Sequence, residues 1–281
     1  ITGAKGQLGL ELTTQLSKNS ESDLLLTDVG ELDITNIEAV VEFVKENKPD
    51  TIINCAAYTA VDDCEVNKDI AFKINAIGPR NLAIAASEIN STIVHISTDY
   101  VFDGNGVMDN KGEIRPYYEF DKADPQSVYG ETKYQGELFV KDFSRRYFII
   151  RTAWLYGEGN NFVRTMLRLS KERDVIKVVN DQHGSPTSTR ELARMINMLI
   201  TTDNYGLFHG TCEGQCTWYD FTKEIFRIRN IGTQVVPVTT DEFPRPAKRP
   251  NYSVLENYLL KLTTNHCFNS WEEEIKVYLN S

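Results

Sequence analysis

Short apolar segments alternate with amphipathic segments through the first half of the chain, and this alternation constrains the fold more than any other feature. Apolar and β-branched stretches typical of buried strands cover residues 24–27, 51–55, 92–96 and 147–152. Stretches with helical spacing lie between them, at about 36–47, 67–88 and 128–143. Strands separated by helices pair in parallel through right-handed crossovers. We therefore predict an α/β fold with a Rossmann-type doubly wound parallel sheet.

A glycine-rich turn stands at the start of this pattern. Gly3, Gly6 and Gly9 form G-x-x-G-x-x-G ahead of leucines at helical spacing. Such glycines let the backbone approach a pyrophosphate, and the following helix N-terminus supplies free N–H groups. A structural turn explains the glycines alone about equally well. Asp28, about 20 residues further on, favours dinucleotide binding because an acid at this spacing binds the adenosine ribose.

Asp28 also bears on the choice between the two nicotinamide cofactors. Its carboxylate repels the 2′-phosphate of NADPH and so favours NADH, whereas a nearby cation would reverse this preference. The sequence therefore predicts NADPH or NADH without deciding between them.

The glycine-rich turn lies unusually close to the start of the sequence. The chain begins at Ile1, without methionine and without the apolar strand that normally leads into such a turn. We therefore expect the sequence to lack a few N-terminal residues of the natural protein.

Composition disfavours several classes of partner. The chain has 281 residues and a formal net charge of −10, which argues against nucleic acid and anionic membranes. No apolar run reaches the ~20 residues of a membrane span. The five cysteines lack paired C-x-x-C spacing, so we expect reduced thiols in a cytoplasmic protein and no metal site. Monomer and homodimer both remain open.

Tyr129 and Lys133 lie four residues apart at the start of an expected helix. A helix places both side chains on one face. A phenol has a pKa of about 10, and an adjacent ammonium would lower that pKa toward the working range of an acid–base group. The spacing alone also occurs by chance on many helices, so other motifs have to support a proton-transfer pair.

Beyond residue 152 the alternation becomes irregular. We expect helices at about 162–173, 189–200 and 219–229, and strands at 175–179 and 206–209. No repeat or flexible linker separates this part from the first. We predict that residues 1–152 form mainly a dinucleotide-binding domain, and that residues 153–281 form mainly a smaller α/β substrate-binding lobe interwoven with it.

Several motifs occur together in one order along the chain. They are I-T-G-A-K-G-Q-L-G, I-N-C-A-A-Y-T-A-V-D, I-S-T-D-Y-V-F-D-G, Y-G-E-T-K, R-T-A-W-L-Y-G-E-G-N-N-F, V-V-N-D-Q-H-G-S-P-T and R-P-A-K-R-P. With these motifs nearly the whole chain resembles the extended short-chain dehydrogenase/reductase family, in particular its sugar-nucleotide ketoreductases. The resemblance implies hydride transfer from NADPH or NADH to C4 of a dTDP-linked 4-keto-6-deoxy sugar.

The resemblance also implies a role for each matching residue. Catalytic roles fall to Tyr129 as proton donor, to Lys133 as the cation beside it, and to Thr98 on the sugar oxygen. The implied cofactor-binding residues are Gly3, Gly6, Gln7, Leu8, Gly9, Asp28, Asp33, Ile34, Ala56, Ala57, Tyr58, Tyr129 and Lys133. The implied substrate-binding residues are Thr98, Asp99, Trp154 and Arg249, the last on the diphosphate. Tyr58 departs from the histidine that relatives often carry.

Two alternatives share the same scaffold. One is a sugar-nucleotide epimerase or 4,6-dehydratase, but dehydratases follow the catalytic threonine with Asp-Glu, whereas Thr98-Asp99 is followed here by Tyr100. The other is a regulatory protein similar to the non-catalytic subunit of methionine adenosyltransferase, which keeps many of these motifs. Fold alone does not separate the three.

Overall fold

The computed structural model describes residues 1–18 and 22–280. The helices of this part are α1 (Gln7–Leu16), α2 (Ile37–Asn47), α3 (Val61–Val66), α4 (Lys68–Phe72), α5 (Gly78–Glu88), α6 (Val128–Phe143), α7 (Phe162–Glu172), α8 (Thr189–Leu199), α9 (Trp218–Ile228), α10 (Tyr258–Thr263) and α11 (Trp271–Asn280). The strands are β1 (Thr51–Asn54), β2 (Thr92–Thr98), β3 (Val107–Met108), β4 (Ile114–Arg115), β5 (Tyr147–Thr152), β6 (Leu155–Tyr156), β7 (Val175–Val179), β8 (His183–Gly184), β9 (Thr187–Ser188), β10 (Gly206–His209), β11 (Cys216–Thr217) and β12 (Gln234–Val238).

A parallel sheet in the order β1–β2–β5–β10 forms the centre of the fold. Thr2 extends it beyond β1 through single parallel bridges to Asn54 and Thr27. Helices connect successive strands, as a parallel sheet requires. The predicted α/β class with a Rossmann-type parallel sheet is confirmed.

The strand predicted at 24–27 is wrong except at its last residue. Thr27 donates its backbone N–H to the Ile1 carbonyl at 2.9 Å and forms the bridge to Thr2. The neighbouring segment offers only Ile1 and Thr2 before the glycine turn begins. The Ile1 amine donates to the Leu25 carbonyl at 2.7 Å, so pairing reaches Leu25 without forming a full strand.

The helical stretch predicted at 67–88 is confirmed from Lys68 to Glu88, with a π-helical turn at Lys73–Ile77 between α4 and α5. Pro79 has no N–H to donate to the Asn75 carbonyl four residues earlier, so a regular α-helical bond cannot form there. The buried Asn75 amide instead holds the end of β1, accepting from the Tyr58 N–H at 2.8 Å. A π turn at this point is typical of functional regions.

One large hydrophobic core joins the two parts of the chain. Leu12 of α1, Phe148 of β5 and Leu192 of α8 belong to the same buried cluster as Phe221 and Trp271. Since β10 also lies in the central sheet, the C-terminal part is interwoven with the first part. The division at residue 152 stays a prediction. Among residues 1–18 and 22–280, no helix has the length and apolar character needed to cross a membrane.

Candidate active site

Helix α6 begins at the carboxyl end of β2 and carries the Tyr129–Lys133 pair. Its N-cap is Ser127, whose hydroxyl accepts the Gly130 N–H at 3.2 Å. A Cβ at Gly130 would lie 2.2 Å from the Tyr100 carbonyl oxygen, so glycine is required for this close approach. The cap and the small residue together set the first turn of α6 against the end of β2.

The Lys133 side chain is buried beneath the end of β2. Only 2% of the residue is exposed, and its Nζ donates to the Ile96 carbonyl at 2.5 Å. Burial lowers the pKa of Lys133 to about 8, while the Glu137 carboxylate one turn further along α6 opposes that shift. The ammonium therefore loses its proton close to physiological pH.

The Tyr129 phenol is protonated at neutral pH in this site. Burial raises its pKa, and a hydrogen bond with the Thr98 hydroxyl opposes that rise. The sequence predicts that the Lys133 ammonium lowers this pKa; in the structure the ammonium donates to the Ile96 carbonyl, and its effect on the phenol stays a prediction. A protonated phenol is the form that can donate a proton.

The end of β2 supplies two further polar groups. Thr98 donates its hydroxyl to an Asp99 carboxylate oxygen at 2.8 Å, and both residues are buried. Burial raises the pKa of Asp99 to about 6, against hydrogen bonds from Ser253 and Thr98 that lower it. Carboxyl ends of parallel strands are where ligands of such sheets bind.

A cavity of about 570 Å³ collects most of the predicted residues. Those that line it are Gly6, Gln7, Leu8, Gly9, Ala57, Thr98, Asp99, Tyr129, Lys133, Trp154 and Arg249. In the sequence these residues are spread from Gly6 to Arg249. Glycines and a helix N-terminus thus face the same space as the candidate proton donor.

A second cavity of about 540 Å³ lies at the other end of the glycine turn. The predicted residues that line it are Gly3, Gly6, Asp28, Asp33, Ile34, Ala56 and Ala57. Gly6, Cys55 and Ala57 line both cavities, which therefore adjoin, and the two together are called the groove below. Volumes of this size suit ligand pockets, and the groove fits an extended dinucleotide with its adenosine end at Asp28.

Tyr58 is the predicted cofactor residue that lines neither cavity. It packs instead beside Cys64, Ala71 and Val128, in the apolar cluster that Tyr129 also contacts. The Asn75 side-chain amide holds its backbone by two hydrogen bonds, accepting from the Tyr58 N–H and donating to the Tyr58 carbonyl. Tyr58 therefore lies behind Tyr129, and its role toward the cofactor stays a prediction.

Arg249 enters the first cavity from the loop before Pro250. Its Nη2 donates to the Asp62 carboxylate at 2.9 Å, so helix α3 holds the guanidinium in place. The Nη1 atom is buried and has no hydrogen-bond partner within residues 1–18 and 22–280. An unpaired buried donor beside a cavity is suited to an anionic ligand.

Sequence analysis missed several residues that line the site. Cys55 lies where the two cavities join, and Gln182, Trp218 and Ser253 face the candidate proton donor's cavity. Gln182 belongs to the N-D-Q-H-G-S-P-T motif, which was a usable signal. Trp218 carries no local signal, because only the folded lobe brings it to the cavity.

The chain matches the family model described as RmlD substrate binding domain over residues 1–281. A crystal structure of a dTDP-4-dehydrorhamnose reductase from Clostridium acetobutylicum is 56% identical with a TM-score of 0.95, covering 99% of this chain and 97% of that one. The Bacillus anthracis dTDP-4-dehydrorhamnose reductase in complex with NADP is 46% identical with a TM-score of 0.94, with the same coverage. The Aggregatibacter actinomycetemcomitans dTDP-4-dehydrorhamnose reductase is 39% identical, covering 98% of this chain and 96% of its own.

Proposed function

We propose, from the premise that this chain belongs to the RmlD substrate binding domain family, that it reduces the C4 keto group of dTDP-4-dehydro-L-rhamnose to give dTDP-L-rhamnose. The reductant is NADPH or NADH. Relatives across the whole length are reductases of this name, and one of them binds NADP. These relatives do not favour the epimerase, the dehydratase or the regulatory alternative.

One observation carries the proposal: a half-buried, protonated phenol and a helix N-terminus with three glycines open onto one groove. Tyr129 and Gly9 line the same cavity, which continues past Gly6 to the ribose-binding acid Asp28. A ketone reductase needs a proton donor within reach of the cofactor's reactive end. The groove supports that arrangement.

The glycine turn, the N-terminus of α1 and Asp28 are the groups that would hold the cofactor. When bound, the cofactor supplies a hydride to the carbonyl carbon. Gly3 has φ +65°, and a Cβ there would lie 2.7 Å from the Ala56 nitrogen, so the turn accepts no larger residue. Close approach of backbone N–H groups suits the pyrophosphate.

Proton transfer is assigned to Tyr129. Its phenol is positioned by the Thr98 hydroxyl, and both groups face the cavity where a sugar carbonyl oxygen would lie. As the carbonyl gains negative charge, the phenol gives it a proton. The Lys133 ammonium, buried one turn along α6, would then stabilise the phenolate that remains.

Binding of the dTDP moiety is assigned to Arg249. Its buried Nη1 is free of a partner among the described residues, so it can donate to a diphosphate oxygen without breaking the Asp62 pair. We also propose a cytoplasmic location, since the free thiols expected from the sequence suit a reducing compartment.

Replacement of the phenol tests the assignment of the proton donor. Tyr129→Phe should lower kcat by about 10² to 10⁴-fold, or roughly 3 to 5 kcal/mol of barrier, with cofactor affinity little changed. Tyr134→Phe is the matched control, because Tyr134 lies on the same helix and packs outside the groove. Near-normal turnover of Tyr129→Phe would refute the role.

A further inference from the structure

We propose that Trp218 and Gly184 are positioning residues that fix the Trp154 indole as one wall of the sugar-nucleotide site. The inference rests on the proposed function and extends it, because it names lobe residues that set the shape of the substrate pocket. Trp154 and Trp218 both line the cavity that contains Tyr129.

Trp154 has a backbone conformation that bulky residues rarely adopt. Its φ is +46°, in the left-handed region, although the residue carries a large side chain. Such a conformation persists only where the surrounding structure holds it, and it is concentrated at functional sites. The indole must therefore be restrained by its neighbours.

Trp218 supplies the first restraint. The two indole rings stack with centroids 3.5 Å apart and planes 5° from parallel. Trp218 in turn contacts Phe162 of α7, with ring centroids 4.3 Å apart. One face of Trp154 is thus covered by an aromatic cluster of the lobe, and the indole also lines the cavity that contains Tyr129.

Gly184 supplies the second restraint through the absence of a side chain. A Cβ at this position would lie 2.3 Å from Cε2 of Trp154 and 2.6 Å from its Nε1. These are ring atoms that cannot move without displacing the whole indole. The glycine therefore permits the observed ring position, and a methyl group would push the indole away.

Both restraints belong to one small structural unit. Strands β8 and β11 pair antiparallel, with Gly184 opposite Cys216. Thr217 then caps α9 through a reciprocal capping box with Asp220, which fixes Trp218 as the first residue of that helix. The unit reaches the cavity as a rigid element, and this makes it suited to orient a binding surface.

The part of the Trp154 indole that lines the cavity suits the ring of a nucleotide sugar or its base. Aromatic faces pack against apolar C–H surfaces and planar rings, and such contacts depend on the angle of the aromatic ring. Arg249 lines the same cavity and is the candidate partner of the diphosphate. The pocket would then hold a sugar nucleotide by one charged and one aromatic contact.

Steady-state kinetics of three variants test the inference. Trp218→Ala and Gly184→Ala should each raise KM for the sugar nucleotide about tenfold or more, with kcat less affected and NADPH affinity unchanged. Trp218→Phe should restore KM to within about threefold of wild type, because a phenyl ring still stacks. An unchanged KM in both alanine variants would overturn the inference, as would an equal loss of NADPH binding.

Circular dichroism provides a readout that does not depend on activity. The electronic transitions of two stacked indoles couple and give a circular dichroism band with a positive and a negative lobe. This band should vanish in Trp218→Phe. It should remain in the control Trp271→Phe, which replaces a buried tryptophan of the core. Persistence of the band in Trp218→Phe would show that stacking of Trp154 on Trp218 does not produce it, and would contradict the inference. If the wild-type protein shows the band but neither binds nor reduces the sugar nucleotide, the two indoles are stacked as inferred, but the proposed function and the assignment of the ligand to this pocket are both wrong.

Discussion

The Lys133 ammonium occupies an environment that disfavours its charge. It is almost fully buried, and its Nζ donates to the Ile96 carbonyl. Glu137 lies one turn along the helix and is held by Arg151 through hydrogen bonds of 2.7 and 2.8 Å, so part of its charge is compensated. Burial therefore lowers the pKa of Lys133 to about 8.

This titration gives a pH dependence with a definite sign. Lys133 is charged below its pKa of about 8 and neutral above it. The ratio kcat/KM for the cofactor reports groups of the free enzyme, so it should fall as the pH rises through about 8. In Lys133→Arg, the guanidinium stays charged, and the fall should move upward by about one pH unit or more.

Lys141→Arg serves as the control for that measurement. Lys141 lies two turns further along α6 and outside both cavities, so its replacement should leave the profile unmoved. A profile of Lys133→Arg that coincides with wild type would show that another group sets the pH dependence.

At the scale of elements, helix α3 links the cofactor side of the groove to the substrate side. Asp62 accepts both the Arg249 guanidinium and the Ala247 backbone N–H, at 2.9 and 3.2 Å. Glu65, on the same helix, accepts the Val128 N–H at 2.9 Å, at the start of α6. One short helix thus positions both the candidate diphosphate contact and the helix of the proton donor.

Removal of the arginine tests this arrangement. Arg249→Ala should raise KM for the sugar nucleotide about ten- to a hundred-fold, the loss of a charge-assisted contact worth roughly 1.5 to 3 kcal/mol. The value of kcat should fall less, because ground and transition states share the contact.

Arg245→Ala is the matched control for Arg249→Ala. Its side chain is 60% exposed and lies 3.9 Å from the same Asp62, so its loss should change KM less than about twofold. If the two variants behave alike, the loop acts only through its general positive charge.

Some helices and strands of this fold follow from the local sequence pattern, and others do not. Helix α6, which carries Tyr129 and Lys133, follows from local spacing, and its start is fixed by the Ser127 cap. The predicted range of about 128–143 agrees with the observed helix Val128–Phe143. The π turn at Lys73–Ile77 and the lost strand before Thr27 depend on which neighbour each segment meets. Those neighbours are fixed by tertiary packing, which local pattern does not encode.

At the scale of the molecule, distant contacts complete the site. Gln7, which the resemblance implies as a cofactor-binding residue, lines the first cavity, and its Oε1 accepts the Gly157 N–H at 2.9 Å and so ties α1 to the lobe. Trp218 reaches the cavity only because β8 and β11 pair. Motifs predicted which residues converge, whereas the contacts that hold them together join residues 150 positions apart at Gln7 and Gly157 and 187 positions apart at Asp62 and Arg249.

The proposed reaction delivers a hydride to C4 of a dTDP-linked keto sugar. The most direct measurement incubates the wild-type protein with dTDP-4-dehydro-L-rhamnose and NADPH that carries two deuterium atoms at nicotinamide C4. We expect dTDP-L-rhamnose with one deuterium bound to sugar C4, formed in a one-to-one ratio with oxidised cofactor. A sugar product without deuterium at C4, or no consumption of either NADPH or NADH, would contradict it.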